Sequence, residues 1–291
     1  MTSLVVDEIS RSRDIRQVEK LWGGYGSIER VYLAQKTVIV KRIAPPPDDG
    51  SVSHARKVRS YQVERTFYEK YSGECACRVA RYEGGDESRL VLEDLDASGY
   101  AGRASTLGTA AVAPLVEWLA RFHKTFLGRA PDGLWEEGCY WHLDTRPDEL
   151  AAMDRSDPLF RSARDLDAKL KAAEHRTIVH GDAKVANFCF GPDGVAALDF
   201  QYVGGGIGVR DLAYLLGSCW SEKQLASSAD ETLDLYFRHL DGGPDLEREW
   251  RALWPVCFAD FDRFLKGWCP GGHWKRNTYT SRLAQLAIAS L

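Results

Sequence analysis

Two short strings hold the side chains of this chain best suited to chemistry. The first is Ile178-Val179-His180-Gly181-Asp182-Ala183-Lys184-Val185-Ala186-Asn187, and the second is Ala197-Leu198-Asp199-Phe200-Gln201. As a pattern they read H-x-D-x-x-x-x-N, with D-F following at the end of an apolar run. Two carboxylates and one carboxamide on neighbouring turns suit the transfer of a phosphoryl group. A nucleoside triphosphate brings several negative charges, and its divalent metal takes hard oxygen ligands in fixed positions. The Asn187 carbonyl and the Asp199 carboxylate would supply two such ligands. Asp182, in the same loop as Asn187, would take the proton of a hydroxyl attacking the γ-phosphate. A lone His-Gly-Asp would be weak evidence for this chemistry. The ordered set of Asp182, Asn187 and Asp199 between two apolar runs is strong evidence.

The elements that must position these groups follow from pattern. Residues 28–33 and 37–43 are short runs rich in β-branched residues and predict a hairpin. Pro45-Pro46-Pro47-Asp48-Asp49-Gly50 is the one marked loop, and residues 54–71 after it predict a helix, with Val63, Phe67 and Tyr71 at a four-residue spacing. Residues 89–92 read as a further strand with a polar exit, Glu93-Asp94-Leu95-Asp96. Beyond it the pattern turns helical. Val112, Leu115, Val116, Leu119, Phe122 and Phe126 trace one stripe, and Leu246, Trp250, Leu253, Cys257, Phe261 and Leu265 trace another, with a kink expected at Pro255. Ser228-x-x-Glu231 reads as a capping box ahead of Leu233. Residues 177–183 and 195–200 form a β-like island, read as one hairpin. The expected fold is therefore α+β and two-lobed: a small β-rich lobe over residues 1–95 and a larger helical lobe over residues 96–291.

With those strings in place, the chain resembles the aminoglycoside, choline and ecdysteroid kinase-like phosphotransferases, which share the protein-kinase-like fold. In that group the first Asp is the catalytic base, while the Asn and the later Asp bind magnesium. The resemblance thus implies Asp182 as base, Asn187 and Asp199 as Mg²⁺ ligands, and ATP as phosphoryl donor. It also requires a glycine-rich hairpin, a strand lysine, a helix glutamate and a hinge, in that order. Trp22-Gly23-Gly24-Tyr25-Gly26-Ser27 supplies the first, so Gly24, Gly26 and Ser27 are expected over the phosphates. Lys41 ends the strand 37–40 and would contact the α- and β-phosphates, and Glu64, with Glu69 as a neighbouring candidate, would brace it. The segment from Leu90 to Leu95 is the expected hinge, with Glu93 and Leu95 at the adenine. Lys184, two residues after the expected base, is shared with protein kinases and the ecdysteroid-kinase-like branch, and the chain is placed closest to that branch. Its ammonium would neutralise charge on the transferring group, which makes Lys184 a second catalytic candidate.

Other residues read as structural. His180 and His123 are expected to pack, and Asp211, heading Leu212, Leu215 and Leu216, reads as a helix N-cap, with anchoring of the catalytic loop as its second reading. Of nine tryptophans, Trp250 and Trp254 lie on a helical stripe. Trp141, Trp268 and Trp274 fall in Gly/Pro/Cys-broken segments and are the candidates for an acceptor pocket. Residues 201–291 hold eleven acids and ten bases, without the acidic excess a polycationic acceptor would want.

Composition removes other classes. The 291 residues are 44% hydrophobic and 27% charged with a net charge of −4, which excludes a disordered, collagenous or disulfide-scaffold chain and offers no basic surface for nucleic acid. No apolar run approaches a membrane span, the first ten residues lack a secretory pattern, and seven cysteines without a CxxC pair read as reduced thiols. A cytoplasmic enzyme acting with ATP and Mg²⁺ on a small-molecule alcohol is expected, with no nucleic-acid or membrane partner and no oligomeric state assigned. A non-catalytic nucleotide-binding scaffold and a protein kinase are the alternatives; the second lacks an Ala-Pro-Glu segment after Asp199.

Overall fold

A computed structural model of the chain describes residues 8–9, 14–272 and 277–291. Five antiparallel strands form the first half: β1 (Ile15–Lys20), β2 (Gly26–Tyr32), β3 (Thr37–Ile43), β4 (Tyr82–Asp86) and β5 (Arg89–Glu93), in the order β1-β2-β3-β5-β4. Alternation along β3 decides what each face does. Val38 and Val40 turn inward with Val31, Val91 and Ile9, while Lys41, opposite Ile28 on β2 and Leu90 on β5, belongs to the other face. Helix α1 (Val52–Lys70) lies over that face, with its first turn capped where Ser51 Oγ accepts the His54 N–H at 3.0 Å.

After β5 the chain becomes helical. Its elements are α2 (Ala113–Thr125), the short α3 (Pro147–Ala151), α4 (Pro158–Arg161) and α5 (Ala163–Lys171), then β6 (Thr177–Val179), β7 (Phe188–Gly191), β8 (Gly194–Ala197) and β9 (Gly204–Gly206). Helices α6 (Gly208–Cys219), α7 (Glu222–Leu240), α8 (Pro244–Trp268) and α9 (Thr278–Ala289) complete it. The apolar stripe of α2 is buried as its spacing requires, and Trp118 and Phe122 stack at 5.1 Å against the interior. Trp250 and Trp254 pack inside. The architecture is α+β: a small antiparallel-sheet lobe followed by a helical lobe.

Several local readings give way. A strand, β1, precedes the glycine hairpin; all six of its residues are exposed, so it carries no apolar alternation to reveal it. The 177–200 island is two pairings: β6 pairs with β9, and β7 pairs with β8. The triple glycine of β9 permits this, since a Cβ on Gly204 would stand 2.2 Å from the Trp135 carbonyl oxygen. Ser228 and Glu231 lie within α7, whose capping box is Ser221 with Gln224, because its apolar stripe already begins at Leu225.

Helix α1 ties the lobes together. Arg56 Nη1 donates to Thr145 O at 2.6 Å, Arg59 Nη2 to Gly133 O and Leu134 O at 3.0 Å, and Tyr71 Oη to Asp132 O at 2.9 Å. Phe67, one turn after Glu64, stacks on Phe200 with ring centroids 3.9 Å apart. Among the described residues no helix is long and apolar enough to cross a membrane.

Candidate active site

The loop of residues 180–187 leaves β6 and is held from beneath. Asp211 Oδ2 accepts the His180 N–H at 2.6 Å, and Oδ1 accepts the Gly181 N–H at 3.0 Å. His123 Nε2 lies 3.1 Å from Asp211 Oδ2, and its Nδ1 lies 2.8 Å from the Tyr236 hydroxyl. This assigns the ring proton to Nε2 and makes Nδ1 the acceptor. Of the two readings of Asp211, the N-cap is therefore corrected and the loop anchor stands. Helix α6 starts at Gly208 with Ile207 in the cap position, and the Asp211 carboxylate is spent on the loop's amides. His180 packs, as expected, with Nε2 3.1 Å from Leu198 O. Gly181, at φ +78°, is pressed on Tyr202, whose carbonyl oxygen would lie 2.1 Å from a Cβ there.

Asp182 is buried. Its Oδ2 takes the Lys184 ammonium at 2.8 Å and Asn187 Nδ2 at 3.0 Å, while Oδ1 has no hydrogen-bond partner. Asn187 Nδ2 also donates to Asp182 O at 2.8 Å, so the Asn187 carbonyl oxygen is the end left for a ligand. The Leu198 N–H donates to Asn187 O at 3.0 Å, which brings the next residue, Asp199, against this loop. Asp199 has φ +66°, a left-handed conformation that is strained for a non-glycine residue. Its buried Oδ1 accepts no hydrogen bond and stands 3.7 Å from Lys41 Nζ. Lys41 Nζ in turn is 2.6 Å from Glu64 Oε2, whereas Glu69 takes the Tyr82 hydroxyl at 3.0 Å. The strand lysine, the helix glutamate and the two neighbouring turns thus converge, bringing Lys41, Glu64, Asp182, Lys184, Asn187 and Asp199 into one cleft.

The charges in the cleft perturb one another. Burial raises the pKa of Asp182, and Asp199 adds to the rise while Lys184 opposes it. Burial likewise raises Glu64 against the pull of Lys41. For Lys41 burial disfavours the ammonium, but Glu64 and Asp199 outweigh it and the pKa is raised. Lys184 behaves the same way, with Asp182 overcoming burial. Two buried carboxylate oxygens without donors, beside a free carboxamide oxygen, suit a hard divalent cation.

The remaining expected residues are placed as follows. Gly24 lies in the turn between β1 and β2, and Gly26 and Ser27 open β2; the Gly24 N–H donates to Leu21 O at 3.2 Å and Ser27 Oγ to Glu29 at 3.1 Å. Tyr25 between them anchors the hairpin to α1, its hydroxyl 2.8 Å from His54 Nδ1. At the segment between the lobes, the Glu93 carboxylate is bound by Arg78 and Ser98, both at 2.6 Å, and by the Arg81 N–H at 3.0 Å. Although burial opposes ionisation, these donors pull its pKa down to about 2. Leu95 O receives the N–H groups of Ser98 and Tyr100, and among the described residues nothing accepts the Leu95 N–H.

The three tryptophans are not brought together. Trp141 is 1% exposed, packs on Tyr214 and Phe261, and donates its indole N–H to Asp260 at 2.9 Å, so it is an interior residue and not a pocket wall. Trp268, half-exposed at the end of α8, stacks on Phe264 at 6.3 Å. Trp274 lies outside the described residues. The rings that do border the 180–187 loop had no such role in the sequence reading. The Tyr140 N–H donates to Gly181 O at 2.8 Å; its ring lies 5.2 Å from Tyr202 and 5.6 Å from Phe264, and the Arg146 guanidinium covers it at 4.3 Å. Trp135 stacks on Tyr202 at 6.2 Å. Tyr140 and Arg146 belong to an irregular segment with no periodicity to mark them; the position of Tyr202, three residues after Asp199, was the only available signal.

Residues 26–253 match the model of a family described as the phosphotransferase enzyme family. No curated protein sequence matches the chain. Among solved structures, an amicoumacin kinase in complex with AMP-PNP, Ca²⁺ and Ami superposes with a TM-score of 0.61 at 14% identity, covering 99% of this chain and 92% of that one. A choline kinase from Cryptosporidium parvum gives 0.58 at 10% identity over 95% and 87%. A choline kinase from Streptococcus pneumoniae gives 0.54 at 16% identity over 99% of each chain. At these identities the likeness is one of fold, a two-lobed kinase-like fold over nearly the whole chain.

Proposed function

The chain belongs to the phosphotransferase enzyme family, and we propose that it transfers the γ-phosphoryl group of ATP, with Mg²⁺, to a hydroxyl of a small-molecule alcohol. The observation that carries this reading is the convergence of Lys41, Glu64 and Asp199, at 2.6 and 3.7 Å, on the loop that holds Asp182 and Asn187. The complex of the amicoumacin kinase with AMP-PNP and Ca²⁺ supports a nucleotide and a divalent ion as companions of this chain.

Each residue then has a task. The small lobe, residues 1–95, holds the nucleotide and the helical lobe, residues 96–291, the acceptor. The Leu95 N–H and the backbone at Glu93 face the adenine, and the hairpin at Gly24, Gly26 and Ser27 covers the phosphates. Lys41, held straight by Glu64, binds the α- and β-phosphate oxygens. Asn187 and Asp199 hold Mg²⁺, which offsets the charge of the phosphates when bound. Asp182 turns its unpartnered Oδ1 to the acceptor hydroxyl, orients it and takes its proton as the oxygen attacks phosphorus in line. The Lys184 ammonium, already 2.8 Å from Asp182 Oδ2, swings toward the transferring group and neutralises its charge. That lysine supports placement near the ecdysteroid-kinase-like branch. A requirement for ATP and seven cysteines outside any disulfide among the described residues favour the cytoplasm.

A protein substrate is disfavoured. Only residues 200–207 separate Asp199 from α6, and three of them are strand β9, which leaves no length for a substrate-binding activation loop. The test is ADP release from Mg-ATP across a panel of hydroxyl compounds and one generic protein, with the product mass checked for an added phosphate. Release that depends on an alcohol and vanishes in Asp182→Asn supports the reading. ATP binding without release from any partner would make the chain a nucleotide-binding scaffold instead.

A further inference from the structure

The wall that borders Asp182 on the side of Tyr140 and Tyr202 has an unusual charge balance. Three carboxylates of this region are paired: Glu149 with Arg146 at 3.2 Å, Glu137 with Arg176, and Asp260 with Arg263 at 2.8 Å and Trp141 at 2.9 Å. Arg56 is different. It reaches from α1 of the small lobe to the carbonyl of Thr145, the residue before Arg146, and its other hydrogen bond goes to Ser53 Oγ at 3.1 Å. The hydrogen bonds of its two terminal nitrogens go to neutral oxygens, and its Nε is buried without a partner. A guanidinium held by neutral oxygens, with one N–H unmet, retains most of its charge for a ligand. Beside it, the Tyr140 ring is capped by Arg146 and lies edge-on to Tyr202, and both tyrosines adjoin Gly181, the neighbour of Asp182.

Resting on the phosphotransfer reading above, we propose that the acceptor is an alcohol that also bears a carboxylate-type anionic group. Arg56 receives that anion, and the body of the acceptor lies on the rings of Tyr140 and Tyr202 with its hydroxyl at Asp182. A cationic group at this end of the acceptor would meet the Arg56 guanidinium, so this part of the wall disfavours amines. The two rings favour a flat or apolar body between anion and hydroxyl.

The test uses matched probes: hydroxymethylbenzoates and ω-hydroxyalkanoates, each compared with its primary amide and its primary amine. ADP release reports turnover, and calorimetry on the full chain with Mg-AMP-PNP reports binding whether or not transfer occurs. The carboxylates are expected to be preferred in both. Arg56→Met should raise KM, or Kd, for the carboxylates by about tenfold to a hundredfold, the worth of one hydrogen bond to a charged group, and for the amides by no more than about threefold. Arg56→Glu should turn the preference toward the amine, an inversion that loss of folding cannot produce. Equal affinity for all three members, preference for the amine in the unaltered chain, or no binding of the carboxylates overturns the proposal. So does an Arg56→Met variant in which the KM for ATP rises and that of the acceptor does not. If carboxylates bind selectively but no ADP appears, the transfer reading fails while the assignment of Arg56 stands.

Discussion

The two sides of Asp182 are constructed by different means. Toward the phosphates, charge meets charge: Lys41 on Glu64, Asp199 beside Lys41, and Lys184 and Asn187 on Asp182, on a backbone fixed by Asp211 and by the stacking of Phe67 on Phe200. Toward the acceptor, rings and guanidiniums rest on backbone carbonyls supplied by residues 133–146, which have little regular structure. Every nucleoside triphosphate makes the same demands on a site, so the first side is written in short motifs. An acceptor makes its own demands, and the second side answers them with single residues scattered over a loop.

The largest expected effect breaks the first side. Asp182→Asn should lower turnover by about 10²–10⁴ while calorimetry finds Mg-ATP binding retained. Its melting temperature should not fall. Because burial lifts the folded-state pKa of Asp182 above its unfolded value, the protonated carboxyl suits the fold better. Its contribution to stability is full below the unfolded pKa and lost as pH rises through the folded one, and a neutral amide escapes that loss. In the unaltered enzyme the same shift places the acid limb of kcat/KM above the ordinary Asp value of 3.8, and a pH profile in which activity persists below that value would remove Asp182 as the base.

Next in size is the support beneath the loop. Asp211→Ala leaves the His180 and Gly181 N–H groups and His123 without their acceptor, and denaturant unfolding should show a loss of about 2–4 kcal/mol. Lys41→Met should raise KM for ATP by about tenfold to a hundredfold and leave acceptor affinity alone, which would sharpen the division between the sides. The smallest effect is expected at Trp268. Half-exposed at a helix end, its replacement by Ala should shift stability by no more than about 0.5 kcal/mol, and an acceptor KM that moves tenfold would extend the second side out to α8.

What was legible in the sequence follows the same division. Lys41, Glu64, Asp182, Asn187 and Asp199 are recoverable because phosphate chemistry fixes their types and their order, and the helical stripes of α2 and α8 because burial fixes a period. Strand β1 was not legible, since a strand exposed along its length has no apolar face to alternate. The pairing of β6 with β9 was hidden because three glycines carry no strand signal, the first of them required by the backbone of Trp135 and the second by that of Glu136. Asp211 looked like a cap because its neighbours form a helix, while its carboxylate answers amides thirty residues earlier in the chain. Trp141 misled for a related reason: a broken local pattern suggested a surface, but Asp260, far along the chain, supplies an acceptor that allows the indole to be interior.

The helix that carries Glu64 is anchored at its first turns by Arg56 and Arg59 and at its end by Tyr71, each to a carbonyl of the opposite lobe. A helix fastened in this way cannot rotate outward to take Glu64 away from Lys41 without giving up all of these bonds at once. The lysine and glutamate are thus already paired in this chain, and parting them would cost the carbonyl bonds of Arg56, Arg59 and Tyr71 as well as their own.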